Sequence, residues 1–143
     1  MTIETYNREE TFMMAKEMGR QAKAGTIITL SGDLGVGKTV FAQGFAEGLG
    51  IDDVISSPTF TIVQIYEEGR LPLYHFDVYR IEEPEEMYEI GYEDYFFGEG
   101  VCLIEWAELI EELIPREHIS VTIAKDPAKG FDYRCITIEE NIK

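Results

Sequence analysis

The sequence predicts an α/β fold: three layers around a mixed parallel/antiparallel sheet. Three observations carry that expectation. The apolar, β-branched run Thr26-Ile27-Ile28-Thr29-Leu30-Ser31 leads directly into Gly32-Asp33-Leu34-Gly35-Val36-Gly37-Lys38-Thr39, a G-x-x-x-x-G-K-T string, and then into a helical pattern. Two further apolar runs, Leu73-Tyr74-His75-Phe76-Asp77 and Val101-Cys102-Leu103-Ile104-Glu105, each end in a carboxylate. Two stretches read as hairpins, one after the first helical pair and one near the C-terminus. Strand, glycine loop and helix followed by more strands is the pattern of a P-loop NTPase-like domain, with its ligand at the carboxyl ends of the parallel strands. Residues 1–143 read as one such domain.

In chain order, Asn7 with Glu10 three residues later reads as a helix N-cap, and the helix is expected to run to about Ala24. Phe12, Ala15, Gly19 and Ala22 lie on one of its faces, and Gly25 closes it before the first strand. The helix after the glycine loop carries Phe41, Phe45 and Leu49 at i, i+4 and i+8, with Gly50 as its stop. Thr59 to Tyr66 alternates like a strand, Glu67–Arg70 has turn chemistry, and Leu73 to Tyr79 returns, which gives the first hairpin. Pro84 with Glu85 and Glu86 suits a helix first turn. Ala107 to Leu113 reads as a short helix ended by Pro115; Ser120–Ala124 and Tyr133–Ile138 form the second hairpin around Asp126–Gly130.

Composition narrows the function. With 28 acidic against 12 basic residues the formal net charge is −16, and no basic patch is visible. Phosphate neutralisation supplies most of the affinity in direct nucleic-acid binding, so that activity is disfavoured. No apolar run is long enough to span a membrane, and the N-terminus lacks the pattern of a signal peptide, so a cytoplasmic location is expected. Cys102 and Cys135 sit in apolar runs and read as reduced, buried thiols.

The glycine loop carries the chemistry. Its glycines let successive N–H groups curl around phosphate oxygens. Lys38 supplies a point charge for the β- and γ-phosphates, and the Thr39 hydroxyl suits a phosphate-bound Mg²⁺. Such a site also needs an acid to support the metal and a group to position the attacking water. Asp77 and Glu105 are the candidates, and the residues alone leave open which takes which task. Ser57, Thr59 and Thr61 read either as turn and strand hydroxyls or as a loop that senses the γ-phosphate. His75 reads as a structural imidazole, and His118 as a loop residue of no greater promise. The stretch from Ile81 to Pro115 is dense in carboxylates and aromatics and holds no Lys or Arg. It reads first as a solvated acidic helix over an aromatic-lined core, with a face that docks a protein partner as the alternative. No N/T-K-x-D guanine motif is present, since Ala124-Lys125-Asp126 does not match, so ATP is expected over GTP. Two rivals remain: a small-molecule kinase, and a nucleotide switch without catalysis.

With Gly32–Thr39, the strings Ser57-Pro58-Thr59-Phe60-Thr61, His75-Phe76-Asp77-Val78-Tyr79-Arg80, Asp94-Tyr95-Phe96 and Leu103-Ile104-Glu105-Trp106 stand in a fixed order. In these the chain closely resembles the bacterial tRNA threonylcarbamoyladenosine biosynthesis family TsaE, also called YjeE, over almost its whole length. The resemblance implies a Mg²⁺-dependent ATPase acting with two partner proteins, TsaB and TsaD. Those proteins attach threonylcarbamoyl to the adenosine beside the anticodon of tRNAs reading ANN codons, so tRNA is met only indirectly. It further implies nucleotide contacts from Asp33, Leu34, Gly35, Val36, Gly37, Lys38, Thr39 and Val40. Thr39 and Glu105 would bind Mg²⁺, Asp77 would assist hydrolysis, and Trp106 would lie close to the nucleotide. Thr11 and Arg134 would lie near the adenine. Val40 departs from the family, which often has a second Thr or Ser after the loop.

Overall fold

A computed structural model describes residues 1–33, 35–53, 55 and 62–141, with the side chain of Asn141 excepted. Its centre is a seven-stranded sheet in the order β1-β7-β6-β2-β5-β4-β3. The strands are β1 (Thr2–Thr5), β2 (Ile27–Gly32), β3 (Val63–Tyr66), β4 (Leu73–Asp77), β5 (Val101–Glu105), β6 (His118–Lys125) and β7 (Arg134–Asn141). The four central strands β6, β2, β5 and β4 run parallel. β3 closes one side and the β7–β1 pair the other, all antiparallel. This is the mixed sheet that the sequence predicts.

Alternation along the central strands separates two cores. Ile28, Leu30, Leu73 and Leu103 face helices α1 (Arg8–Gln21) and α2 (Lys38–Gly48), packing on Ala15, Phe41, Phe45 and Leu49. Ile27, Phe76, Cys102 and Ile104 face the other way, onto Met87, Tyr92, Phe96 and Ile110. Those residues come from α3 (Glu86–Glu89), α4 (Tyr92–Phe96) and a 3-10 segment, Ala107–Leu113. Helix, sheet and helix thus form the three layers.

Several local expectations are met. Asn7 Oδ1 accepts from the Glu10 N–H at 2.8 Å, and Glu10 Oε1 accepts from the Tyr6 N–H at 2.9 Å. These two bonds satisfy backbone donors at the start of α1. Gly50, with φ of 86°, terminates α2 as a left-handed stop. β3 and β4 form the first hairpin and β6 and β7 the second.

Other expectations need correction. α1 stops at Gln21, where Ala22 turns extended with ψ of 142°, and Arg70 caps the end: one guanidinium nitrogen lies 2.6–2.8 Å from the carbonyls of Gly19, Arg20 and Ala22, which share its two hydrogens. The acidic stretch is two short helices, broken where Gly91 adopts φ of 68°. His118 begins β6 and does not sit in a loop. β1 is a strand that the sequence reading leaves out. β4 ends at Asp77, two residues before the expected Tyr79.

Candidate functional site

The register of the parallel strands assembles the site. Asp77 is the partner of Glu105 across β4 and β5, and Glu105 is the partner of Leu30 across β5 and β2. Both carboxylates therefore stand at the carboxyl end of the sheet, on the face covered by α2. β2 delivers the chain into the glycine loop at the same end. Gly37 adopts φ of 107°, which only glycine accepts readily, and this turns the chain so that α2 begins at Lys38.

A cleft of about 980 Å³ opens here, and Asp33, Lys38, Thr39, Asp77, Glu105 and Trp106 all line it. Lys38 Nζ lies 3.9 Å from Glu105 Oε1 and 5.1 Å from the centre of the Trp106 ring. That ring lies 4.9 Å from the Tyr79 ring, which is exposed beside it. Trp106 is the one non-glycine residue with positive φ, 65°, among the described residues. A bulky residue in that conformation is strained, and such strain concentrates at functional positions. Here it swings the indole over the cleft immediately after Glu105.

The two carboxylates differ in setting. Glu105 is buried and its Oε2 lies 2.7 Å from His75 Nε2. Asp77 is half-buried and accepts from the Tyr79 N–H through Oδ1 at 3.1 Å. Burial pushes the Asp77 carboxyl above its usual range; the Tyr79 N–H pulls the other way, and the neighbouring Glu105 pushes it up again. A carboxylate of raised proton affinity beside an open cleft has the character of a general base.

A second, smaller hollow of about 200 Å³ adjoins the other side of the loop, sharing Gly35 and Gly37 with the cleft. Thr11, Val36, Val40 and Arg134 line it. Arg134 supports the crest of the loop, donating from Nε to the Val36 carbonyl at 2.7 Å. The Thr11 hydroxyl is tied to that of Thr5 at 2.7 Å, both buried. The expected nucleotide contacts thus fall around one loop, with Lys38, Thr39 and the acids on one side and Thr11, Val40 and Arg134 on the other. Leu34, Ser57, Thr59 and Thr61 lie outside the described residues.

The donor set suits Mg²⁺. That ion keeps most of its waters and takes one or two protein oxygens with substrate phosphates. The Glu105 carboxylate and the Thr39 hydroxyl, on one cleft, are such a pair. Among the described residues no cluster of three or more His, Cys, Asp or Glu forms a dedicated metal cage, and a nucleotide-borne Mg²⁺ does not require one.

The model of the family described as "Threonylcarbamoyl adenosine biosynthesis protein TsaE" matches residues 5–134. The chain belongs to the TsaE family. A Bacillus subtilis (strain 168) protein named "tRNA threonylcarbamoyladenosine biosynthesis protein TsaE" is 53% identical over 133 residues, which is 93% of this chain and 81% of that protein. One of the same name from Treponema pallidum (strain Nichols) is 40% identical over 115 residues, 80% of this chain and 84% of the other. A solved structure described as "Crystal structure of Bacillus subtilus YdiB" superposes with a TM-score of 0.82 at 46% identity, covering 99% of this chain and 86% of its own. The TsaE-family match spans the glycine loop, both acids and Trp106. Among the described residues no helix is long and apolar enough to cross a membrane.

His75, read from the sequence as a structural imidazole, is bonded to one of the site's two carboxylates. It stands two positions before Asp77, so β-strand alternation puts both on the face that carries Glu105. That spacing was the available signal.

Proposed function

We propose that this chain is the ATP-binding and ATP-hydrolysing component of the machinery that forms threonylcarbamoyladenosine next to the anticodon of tRNAs reading ANN codons. In this reading it acts with TsaB and TsaD, and meets tRNA only through them. One observation carries the proposal: a glycine loop, its lysine and two carboxylates from adjacent strand ends converge on one cleft in a chain of the TsaE family. The acidic charge of −16 accords with partners, rather than this chain, gripping the tRNA.

The geometry supports the following roles. The backbone N–H groups of Gly35 to Thr39 and the N-terminus of α2 hold the phosphates. Lys38, whose Nζ lies 3.9 Å from Glu105 Oε1, contacts the β- and γ-phosphates. Glu105 and Thr39 would hold Mg²⁺, which would supply positive charge to the phosphate oxygens. Asp77, held by the Tyr79 N–H and of raised proton affinity, orients a water and takes up its proton. Trp106 shields the phosphates from bulk water. Arg134 and Thr11, across the loop, border the adenine. Lys38 is the one basic side chain lining the cleft among the described residues, so no arginine there meets the charge that develops on the transferring phosphate and the leaving ADP. Hydrolysis by the isolated chain is therefore slow and rises when a partner docks.

The test is genetic replacement. Cells whose own TsaE is depleted regain threonylcarbamoyladenosine in tRNA hydrolysates, read by mass spectrometry, when given this chain. They do not regain it with Lys38→Ala or Asp77→Asn. Restoration by Asp77→Asn would overturn the hydrolytic role and leave a binding switch.

A further inference from the structure

His75 is a buried polar group to which the reading above gives no task. Its residue is 1% exposed, in a central strand whose neighbours Phe76, Leu73 and Leu103 are fully buried hydrophobics. An aliphatic side chain would fill that place more cheaply, because a buried imidazole must find partners for both nitrogens. It finds one. Nε2 is bonded to Glu105 Oε2 at 2.7 Å, while Nδ1 is buried with no hydrogen-bond partner among the described residues. That one hydrogen bond is what offsets the cost of burying the imidazole.

That contact fixes the orientation of a carboxylate. His75 pairs with Leu103 across β4 and β5, so it lies diagonally one step behind Glu105 on the same face. From there Nε2 reaches the rear oxygen, and Oε1 is left towards Lys38, at 3.9 Å. A carboxylate free to rotate about its last bond would share both oxygens between Lys38 and the cleft; the imidazole removes that freedom. Ligating carboxylates are characteristically held in this way by a second hydrogen bond behind them.

We propose that His75 is a positioning residue: by holding Glu105 Oε2 it presents Oε1 to the nucleotide-bound divalent cation. This deepens the proposed function and rests on its assignment of Glu105 to Mg²⁺. His75 does not line the cleft, and its effect travels through the fixed carboxylate alone.

The test separates positioning from packing. His75→Leu keeps the volume and the apolar surroundings but removes the donor; His75→Gln keeps a donor near the Nε2 position. The readout is nucleotide binding, followed by the fluorescence of Trp106, the one tryptophan in the chain. ATP affinity is measured in EDTA and across a Mg²⁺ titration, and Mn²⁺ occupancy of the ATP-loaded protein is read by electron paramagnetic resonance. His75→Leu is expected to weaken divalent-cation affinity of the ATP-loaded protein about 10- to 100-fold. Its metal-free ATP affinity stays within about twofold of wild type, and His75→Gln recovers most of the lost cation affinity. Unchanged Mg²⁺ dependence in His75→Leu, with wild type responding, would overturn the positioning role alone. Equal losses in the Leu and Gln variants would also overturn it, leaving a packing role. If Mg²⁺ fails to strengthen ATP binding by wild type, the metal assignment of the proposed function falls, and this inference with it.

Discussion

Replacing Asp77 by Asn should stabilise the nucleotide-free protein while abolishing hydrolysis. The side chain is half-buried, opposite Glu105 in the β4–β5 register, and burial is the main reason its carboxyl is pushed up. A group whose proton affinity is higher folded than unfolded stabilises the fold where it is protonated in both states. That contribution is lost as pH rises from the unfolded towards the folded value. At pH 7.5 the charged form is thus a net cost. Asn removes the charge and keeps the oxygen that accepts from the Tyr79 N–H at 3.1 Å. Because water still reaches the carboxylate and screens it, the gain belongs at the low end of active-site stabilisations, about 0.5–1 kcal/mol. For a chain of this length that is a rise in Tm of about 2–4 °C. Thermal denaturation of both proteins at pH 8 and pH 5 is the assay, and the gap should narrow at the lower pH. An Asn variant less stable than wild type at pH 8, or a gap that widens on acidification, would refute the reasoning.

Three further outcomes follow from the packing and the loop. Gly48→Ala would drive a Cβ into the Lys16 carbonyl, with Arg20 N at 2.8 Å and the Gly19 Cα at 2.9 Å, where α1 and α2 cross. These are backbone atoms that cannot yield cheaply, so a loss of about 3 kcal/mol or more in urea denaturation is expected. Asn7→Ala removes the side-chain acceptor for the Glu10 N–H and should cost about 1 kcal/mol in the same assay. Lys38→Ala should leave the Tm without nucleotide within about 2 °C of wild type and abolish the rise that Mg²⁺-ATP gives wild type. A retained rise would remove Lys38 from phosphate binding.

The elements with the strongest periodicity were legible in the sequence. β2, the glycine loop and α2 are specified by local pattern alone, because loop and helix start are fixed by residues adjacent in the chain. The two carboxylates were legible as strand ends, and it is the parallel register that brings them side by side. What escaped depends on distant parts of the chain. β1 offers four residues of which only Thr5 is buried, and it exists because β7 pairs with it and the Ile138 carbonyl accepts from the N-terminal amine at 2.9 Å. The end of α1 is capped by Arg70, about fifty residues downstream, whereas the local stop signal at Gly25 places it three residues too late. His75 looked like one more core side chain, since its partner Glu105 is thirty residues away. The acidic stretch misled because its carboxylates suit a continuous helix, while Gly91 breaks it. Ser57, Thr59 and Thr61 fall outside the described residues, and their switch reading stays with the sequence.

The central claim is that this cleft hydrolyses ATP in the service of partner proteins. Its most direct test is steady-state ATPase activity of the purified chain alone and then with TsaB and TsaD from the same source. Slow turnover alone, stimulation by the two partners, and loss of that stimulation in Glu105→Ala are expected. Fast turnover by the isolated chain, or ATP binding that the partners leave without any stimulated hydrolysis, would contradict it.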